Sequence, residues 1–290
     1  MSEERRILAV DCGNTQIKLG VFRDGELAAS YRLATDPQKT SDEYAILLRA
    51  LLTDEGLAPR KFDGAILASV VPPVQPLLER AVSKVLGRPC LEVTPALDTG
   101  IRARVDNPAE VGADLVCLAA GAAGRYRLPA VVCSFGTATA ILAVVSPKEG
   151  EGCGLTAELA GVAIAPGILS AVHSLFADAA KLPQIDLVTP RTALGQNTIE
   201  AMRAGVVFGF AGLAERVVGE MIRELALRDG GDTAGAGEPP TAGTVHAGEP
   251  TIIATGGLLN LISHVTRLFQ HYDPFLSLHG LRLIWERNAG

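Results

Sequence analysis

Four apolar residues, Ile7-Leu-Ala-Val10, run into Asp11-Cys-Gly-Asn-Thr15. That pattern predicts a buried strand feeding a tight turn. Ile17 to Phe22 and Glu26 to Ala34 predict two further strands, joined by Asp24-Gly25, a strong hairpin signal. Thr40-Ser-Asp-Glu43 is a capping box, and Tyr44, Leu47, Leu48, Leu51 and Leu52 follow with the spacing of one buried helical stripe. A strand over Gly64–Val71, a helix over Val74–Leu86 and a short strand over Cys90–Val93 come next. Asn107-Pro-Ala-Glu110 opens a helix running to about Tyr126.

The second half repeats the opening. Ala130 to Cys133 predicts a buried strand, Ser134-Phe-Gly-Thr-Ala-Thr139 a small-residue turn, and Ala140 to Val145 the return strand. Strand–glycine turn–strand thus occurs twice, about 120 residues apart, each time opening an α/β segment. The duplication implies two halves, residues 1–125 and 126–290. Within the second, a strand over Thr156–Ile164, a helix from Ile168, a long helix over Thr198–Arg228, a strand over Thr251–Ala254 and a helix over Leu258–Phe269 are expected. Asp229 to Pro250, rich in Gly, Ala, Thr, Glu and Pro, reads as a flexible surface insertion.

Composition narrows the classes. The 290 residues are 48% hydrophobic and 20% charged, as in ordinary globular proteins. Lys+Arg number 26 against 32 Asp+Glu, a net charge of -6. That balance excludes a basic nucleic-acid footprint but not small anions held by backbone amides. The start is charged, unlike a signal peptide, and Ala130–Val145 is too short and interrupted to span a bilayer. Five scattered cysteines without CxxC spacing fit reduced thiols. A cytoplasmic protein, bound to neither membrane nor nucleic acid, is expected.

The two turns carry the candidate chemistry. Gly13 lets the backbone approach a ligand, and the turn amides with Asn14 and Thr15 can cradle phosphate oxygens. Asp11 can orient a hydrated Mg²⁺, and Lys18 can add a point charge. Gly136, Thr137 and Thr139 offer the same chemistry in the second half. Two such turns facing each other across a cleft, with Thr255-Gly256-Gly257 against adenosine, resemble the nucleotide clamp of the acetate kinase, sugar kinase, Hsp70 and actin superfamily. That resemblance implies an α/β, duplicated ribonuclease H-like fold in two domains, the nucleotide cleft between the halves. Asp114, in the first turns of its helix, should stay ionised and able to accept a hydroxyl proton.

Asn107-Pro-x-x-Val-Gly-Ala-Asp114 distinguishes among the members. Together with Asp11–Lys18, Ala68-Ser-Val-Val-Pro72, Phe135–Thr139, Ile164–Gly167, Gly195-x-Asn-Thr198, Thr255–Gly257 and Gly280–Ile284, it makes the chain similar to the type III pantothenate kinases. The resemblance implies phosphorylation of pantothenate by ATP, the first step of coenzyme A synthesis, by a homodimer needing Mg²⁺ and K⁺ or NH₄⁺. It implies that residues 11–18 and Thr137 bind ATP, that Asp114 is the general base, and that Gly112, Ala113 and Thr198 lie on the substrate side. Two positions depart from the family pattern. Leu115 stands where Arg is expected to pair with the pantothenate carboxylate, and Ser134 where Asp is expected to hold the monovalent cation. A second reading is therefore a nucleotide-binding paralogue with an accessory role, in the manner of Bvg accessory factor homologues.

Overall fold

The fold is built on two sheets with one plan, seen in a computed structural model that describes residues 4–54, 58–148, 154–178, 183, 185–228 and 249–289. The first sheet starts with β1 (Arg6–Cys12), β2 (Gln16–Arg23) and β3 (Glu26–Ala34). Asp24 and Gly25 make the hairpin turn at φ 48° and 86°, the left-handed region that the Asp-Gly pair was expected to supply. Helix α1 (Ser41–Asp54) begins on the expected capping box: Thr40 N donates to Glu43 Oε2 at 2.7 Å and Glu43 N to Thr40 Oγ1 at 3.3 Å. Tyr44, Leu48 and Leu52 form its buried stripe. Next come β4 (Gly64–Ser69), α2 (Gln75–Leu86), β5 (Cys90–Glu92), β6 (Ile101–Ala103) and α3 (Ala113–Arg125).

The second sheet repeats the scheme with β7 (Ala130–Phe135), β8 (Ala138–Val145) and β9 (Ala157–Pro166). These are followed by α4 (Ile168–Asp178), α5 (Thr198–Arg228), β10 (Thr251–Thr255), α6 (Leu259–Ile262) and β11 (His271–Tyr272). A last helix, α7, spans Leu276–Asn288. The first sheet runs β3-β2-β1-β4-β5. The second contains β9-β8-β7-β10-β11, the same order, with β6 added beside β9. In each, an antiparallel hairpin flanks a central strand whose other neighbour is parallel: β1 between β2 and β4, β7 between β8 and β10. That is the ribonuclease H-like plan, present twice.

Two compact units result. The first comprises Met1–Arg125, Pro147–Glu158 and Leu276–Gly290; the second, Tyr126–Ser146 and Leu159–Phe275. A division at 125/126 assigns α7 to the second half, but its packing partners lie in the first. Gly280 of α7 crosses α3 so closely that a Cβ there would stand 1.8 Å from the Cys117 carbonyl oxygen. On the facing helix, a Cβ at Gly121 would stand 2.3 Å from the Leu276 oxygen. Trp285 fills the space beside Gly64 of β4.

Two further expectations change. The helix expected over Leu258–Phe269 is only the four residues of α6, followed by a loop that buries Leu268 and Phe269. The helix expected from Asn107 breaks into a 3₁₀ turn at Pro108–Glu110 and a helix from Ala113, because Asn107 caps its own turn by accepting from Ala109 N. The insertion 229–250 falls almost wholly outside the described residues, as does Cys153. The other four cysteines are buried and unbridged.

Candidate active site

The Asp11 turn is built by the β1–β2 hairpin. Gly13 N donates to Gln16 O at 3.0 Å, closing the turn, and Thr35 Oγ1 donates to Gly13 O at 2.6 Å, tying it to the end of β3. Asn14 and Thr15 at the tip are exposed. Asp11 and Lys18 pair across the ladder, and Lys18 Nζ lies 3.3 Å from Asp11 Oδ2. That oxygen also accepts from Ser277 Oγ of α7 at 2.7 Å. Asp11 is only 6% exposed, so its charge is satisfied mainly by these two donors. No described residue hydrogen-bonds Oδ1, which leaves one carboxylate oxygen for a hydrated cation. A hard, water-retaining ion such as Mg²⁺ fits that donor.

Asp114 sits in the first turn of α3, half-buried, with Gly112 directly before it. A Cβ at Gly112 would stand 2.4 Å from Asp114 Oδ1 and 3.7 Å from Val70, so the carboxylate lies in the space that a side chain at 112 would fill. Burial and the charge of Asp11 push the Asp114 carboxyl above the ordinary carboxylate value. The amides of Leu115 and Asp114 and the Lys18 ammonium oppose that shift. The sequence suggested a carboxylate simply held ionised by the helix terminus. The structure adds a neighbouring like charge, and with it a stronger base. Ala113 stands beside Asp114 at the helix start, whereas Leu115 points into the core at 9% exposure. Upstream, Arg102 and Arg104 both pair with Glu158, a carboxylate 1% exposed.

In the second unit, Ser134 takes its place in the ladder opposite Ala140 and Thr255. Gly136 N donates to Ala138 O at 3.0 Å across the turn. Gly167 of the Ile164–Gly167 motif comes so near that a Cβ would stand 2.1 Å from Thr137 O, an oxygen that also accepts from Ser170 Oγ at 3.1 Å. Thr139 is fully buried, and its Oγ1 has no hydrogen-bond partner among the described residues. Gly256, at φ 106°, reaches the same place from β10: a Cβ there would stand 2.3 Å from Phe135 O. Gly257 has open space beside it. Ser134, Gly136, Thr137 and Gly256 are thereby gathered at one end of the second sheet. Thr198 is elsewhere, exposed at the start of α5, where Asn197 Oδ1 caps the helix by accepting from Glu200 N at 3.0 Å.

A sequence profile described as type III pantothenate kinase matches residues 7–220. The type III pantothenate kinase of Moorella thermoacetica is 39% identical over 98% of this chain and 100% of its own length. That of Bacillus cytotoxicus is 38% identical over 98% of this chain and 97% of its own. The chain belongs to the type III pantothenate kinase family. Among solved structures, a conserved protein of Campylobacter jejuni assigned to a Baf family of transcriptional activators shares the fold. It superposes with a TM-score of 0.52 at 15% identity, over 97% of this chain and 98% of that one. Ser277, whose hydroxyl donates to Asp11, lies outside every motif read from the sequence. It follows no phosphate-turn pattern, and only the neighbouring Gly280–Ile284 motif marked its helix.

Proposed function

We propose that this chain transfers the terminal phosphoryl group of ATP to the primary hydroxyl of pantothenate, forming 4′-phosphopantothenate and ADP at the entry to coenzyme A synthesis. The observation that carries this reading is Asp114. It is a carboxylate on the family motif, strengthened as a base by burial and by Asp11. It accepts the hydroxyl proton as the substrate oxygen bonds to the γ-phosphorus and the bond from that phosphorus to the β-phosphate oxygen breaks. Such transfer asks the protein mainly for positioning and charge stabilisation.

Gly13, Asn14, Thr15 and Lys18 bind phosphate oxygens, and Asp11 would reach the phosphates through a hydrated Mg²⁺. Bound there, Mg²⁺ would neutralise charge on the transferring phosphates. Gly136, Thr137 and the orphan hydroxyl of Thr139 serve the phosphates from the second unit, with Gly256 and Gly257 toward the adenosine. Gly112 and Ala113 wall the acceptor, and Thr198 belongs to the substrate side. Ser134 in place of a carboxylate makes the K⁺ or NH₄⁺ site weak. Leu115 leaves the pantothenate carboxylate without the expected Arg fork. A homodimer in the cytoplasm completes the proposal, as the family resemblance implies.

The experiment is ADP release with ATP, Mg²⁺ and pantothenate, run in K⁺ and again in Na⁺. Pantothenate-dependent ADP release is expected in both. Nucleotide binding without pantothenate-dependent release would replace the kinase reading with that of an accessory paralogue.

A further inference from the structure

Ser277 lies in the first turn of α7, flanked by the buried Leu276 and Leu278, and is itself 3% exposed. Its hydroxyl donates to Asp11 Oδ2 at 2.7 Å, across 266 residues of chain. The helix that carries it is fixed against α3 by the Gly280–Cys117 and Gly121–Leu276 approaches, so the donor is held by packing rather than by a loop. Lys18 is the other partner of Oδ2, at a longer 3.3 Å, and it is half-buried on a strand that faces the phosphate turn. An anionic ligand at that turn attracts the ammonium away from Asp11. Ser277 then remains the one described donor that holds Oδ2 toward α7, leaving Oδ1 without a hydrogen-bond donor among the described residues.

We propose that Ser277 is a positioning residue that sets the rotation of the Asp11 carboxylate and, through it, the affinity for the divalent cation that accompanies ATP. This rests on the reading of Asp11 as the residue that holds hydrated Mg²⁺. A neutral hydroxyl suits the task. It orients one oxygen without cancelling the charge the cation needs, as a Lys or Arg there would.

The test uses Mn²⁺ as a spectroscopic probe. Free Mn²⁺ is followed by electron paramagnetic resonance in the presence of ATP and the full-length protein, and ATP affinity is measured separately without metal. Ser277→Ala is expected to weaken Mn²⁺ binding in the ternary complex about tenfold, the scale of one lost hydrogen bond to a charged group, while metal-free ATP affinity stays within about twofold. Ser277→Thr, which keeps the hydroxyl, restores Mn²⁺ affinity. Should the alanine variant not fold, Ser277→Cys retains the volume with a far weaker donor and is read in the same way.

Parent-like Mn²⁺ affinity in the variant lacking the hydroxyl overturns the proposal. So does an equal loss of ATP affinity with and without metal, which would mark Ser277 as a structural tie. The two readings fail separately. A parent with Ser277-dependent Mn²⁺ binding but no pantothenate turnover loses the kinase reading and keeps this one. A parent that turns over pantothenate with Ser277-independent metal binding does the reverse.

Discussion

Asp114 folds back over Gly112, its Oδ1 only 2.4 Å from where a Cβ at residue 112 would be. The glycine is therefore part of how the carboxylate is aimed. Gly112→Ala is expected to displace the Asp114 side chain and lower kcat on the scale of a lost general base, about 10²–10⁴-fold. ATP affinity by calorimetry should be unchanged, because the phosphate turn is formed by other residues. Parent-like turnover in this variant would mean that the carboxylate need not occupy that space.

Asp114→Asn should abolish turnover and yet make the protein more stable at neutral pH. The folded-state pKa of Asp114 is raised above its unfolded value. Between those two values the native chain holds more protons than the unfolded one, so stability is fully present below the unfolded pKa and declines as pH rises through the folded pKa. The ionised carboxylate thus burdens the fold at neutral pH, and Asn removes that burden. Thermal melts of parent and variant across pH should converge in acid and separate toward neutrality, the variant melting higher. The parent's kcat/KM should fall as acid protonates Asp114, with an apparent pKa above the ordinary 3.8.

Leu115→Arg should lower the KM for pantothenate about 10-fold or more by supplying a charge-assisted fork for the carboxylate. The same change is expected to cost stability, because Leu115 is 9% exposed and a longer side chain must find a way out of the core. Steady-state kinetics and a denaturant titration read the two effects independently. An unchanged KM would show that the acceptor is recognised by other groups.

Ser134→Asp adds a full negative charge beside a turn proposed to bind phosphate. Two unit charges at about 4 Å repel by about 4 kcal/mol at an effective dielectric of 20. The variant in Na⁺ alone should bind ATP more weakly than the parent, and K⁺ should restore the affinity. Titrations with KCl and NaCl at matched ionic strength check this. A parent already strongly activated by K⁺ would show that other oxygens complete the cation site.

Gly280→Ala should separate α7 from α3, since its Cβ would enter the Cys117 carbonyl. A loss of about 1–3 kcal/mol or more is expected on denaturant unfolding, the scale of overpacking a tight contact. Wild-type stability would imply that the two helices can slide apart at little cost.

Local signals in the sequence located most of these elements. The capping box at Thr40, the Asp24-Gly25 hairpin and the long helix Thr198–Arg228 were all readable, because each is determined by residues close in sequence. Asp11, Gly112 and Asp114 could be singled out for the same reason: their motifs are contiguous. What escaped is set by distant partners. Helix α7 buries Leu276, Ser277, Leu278, His279, Leu281, Ile284 and Trp285, a mixed surface without a clean polar face, so periodicity did not mark it. The hydrogen bond from Ser277 to Asp11 has no local signature at all. Likewise, the burial of Leu115 and the engagement of Arg102 and Arg104 by Glu158 depend on which segments meet, not on spacing.

The placement of α7 has a consequence for biosynthesis. β1 leaves the ribosome well before Ser277 and the rest of its supporting helix, which follow only after the intervening second unit has been made. With chain growth at about 5–20 residues per second, the Asp11 strand waits on the order of tens of seconds for the helix that packs on it. Throughout that interval the apolar surface destined for α7 is open to other partners. The unit that holds β1 is thus completed only after the one inserted within it, and a lesion in α7 reaches back to β1.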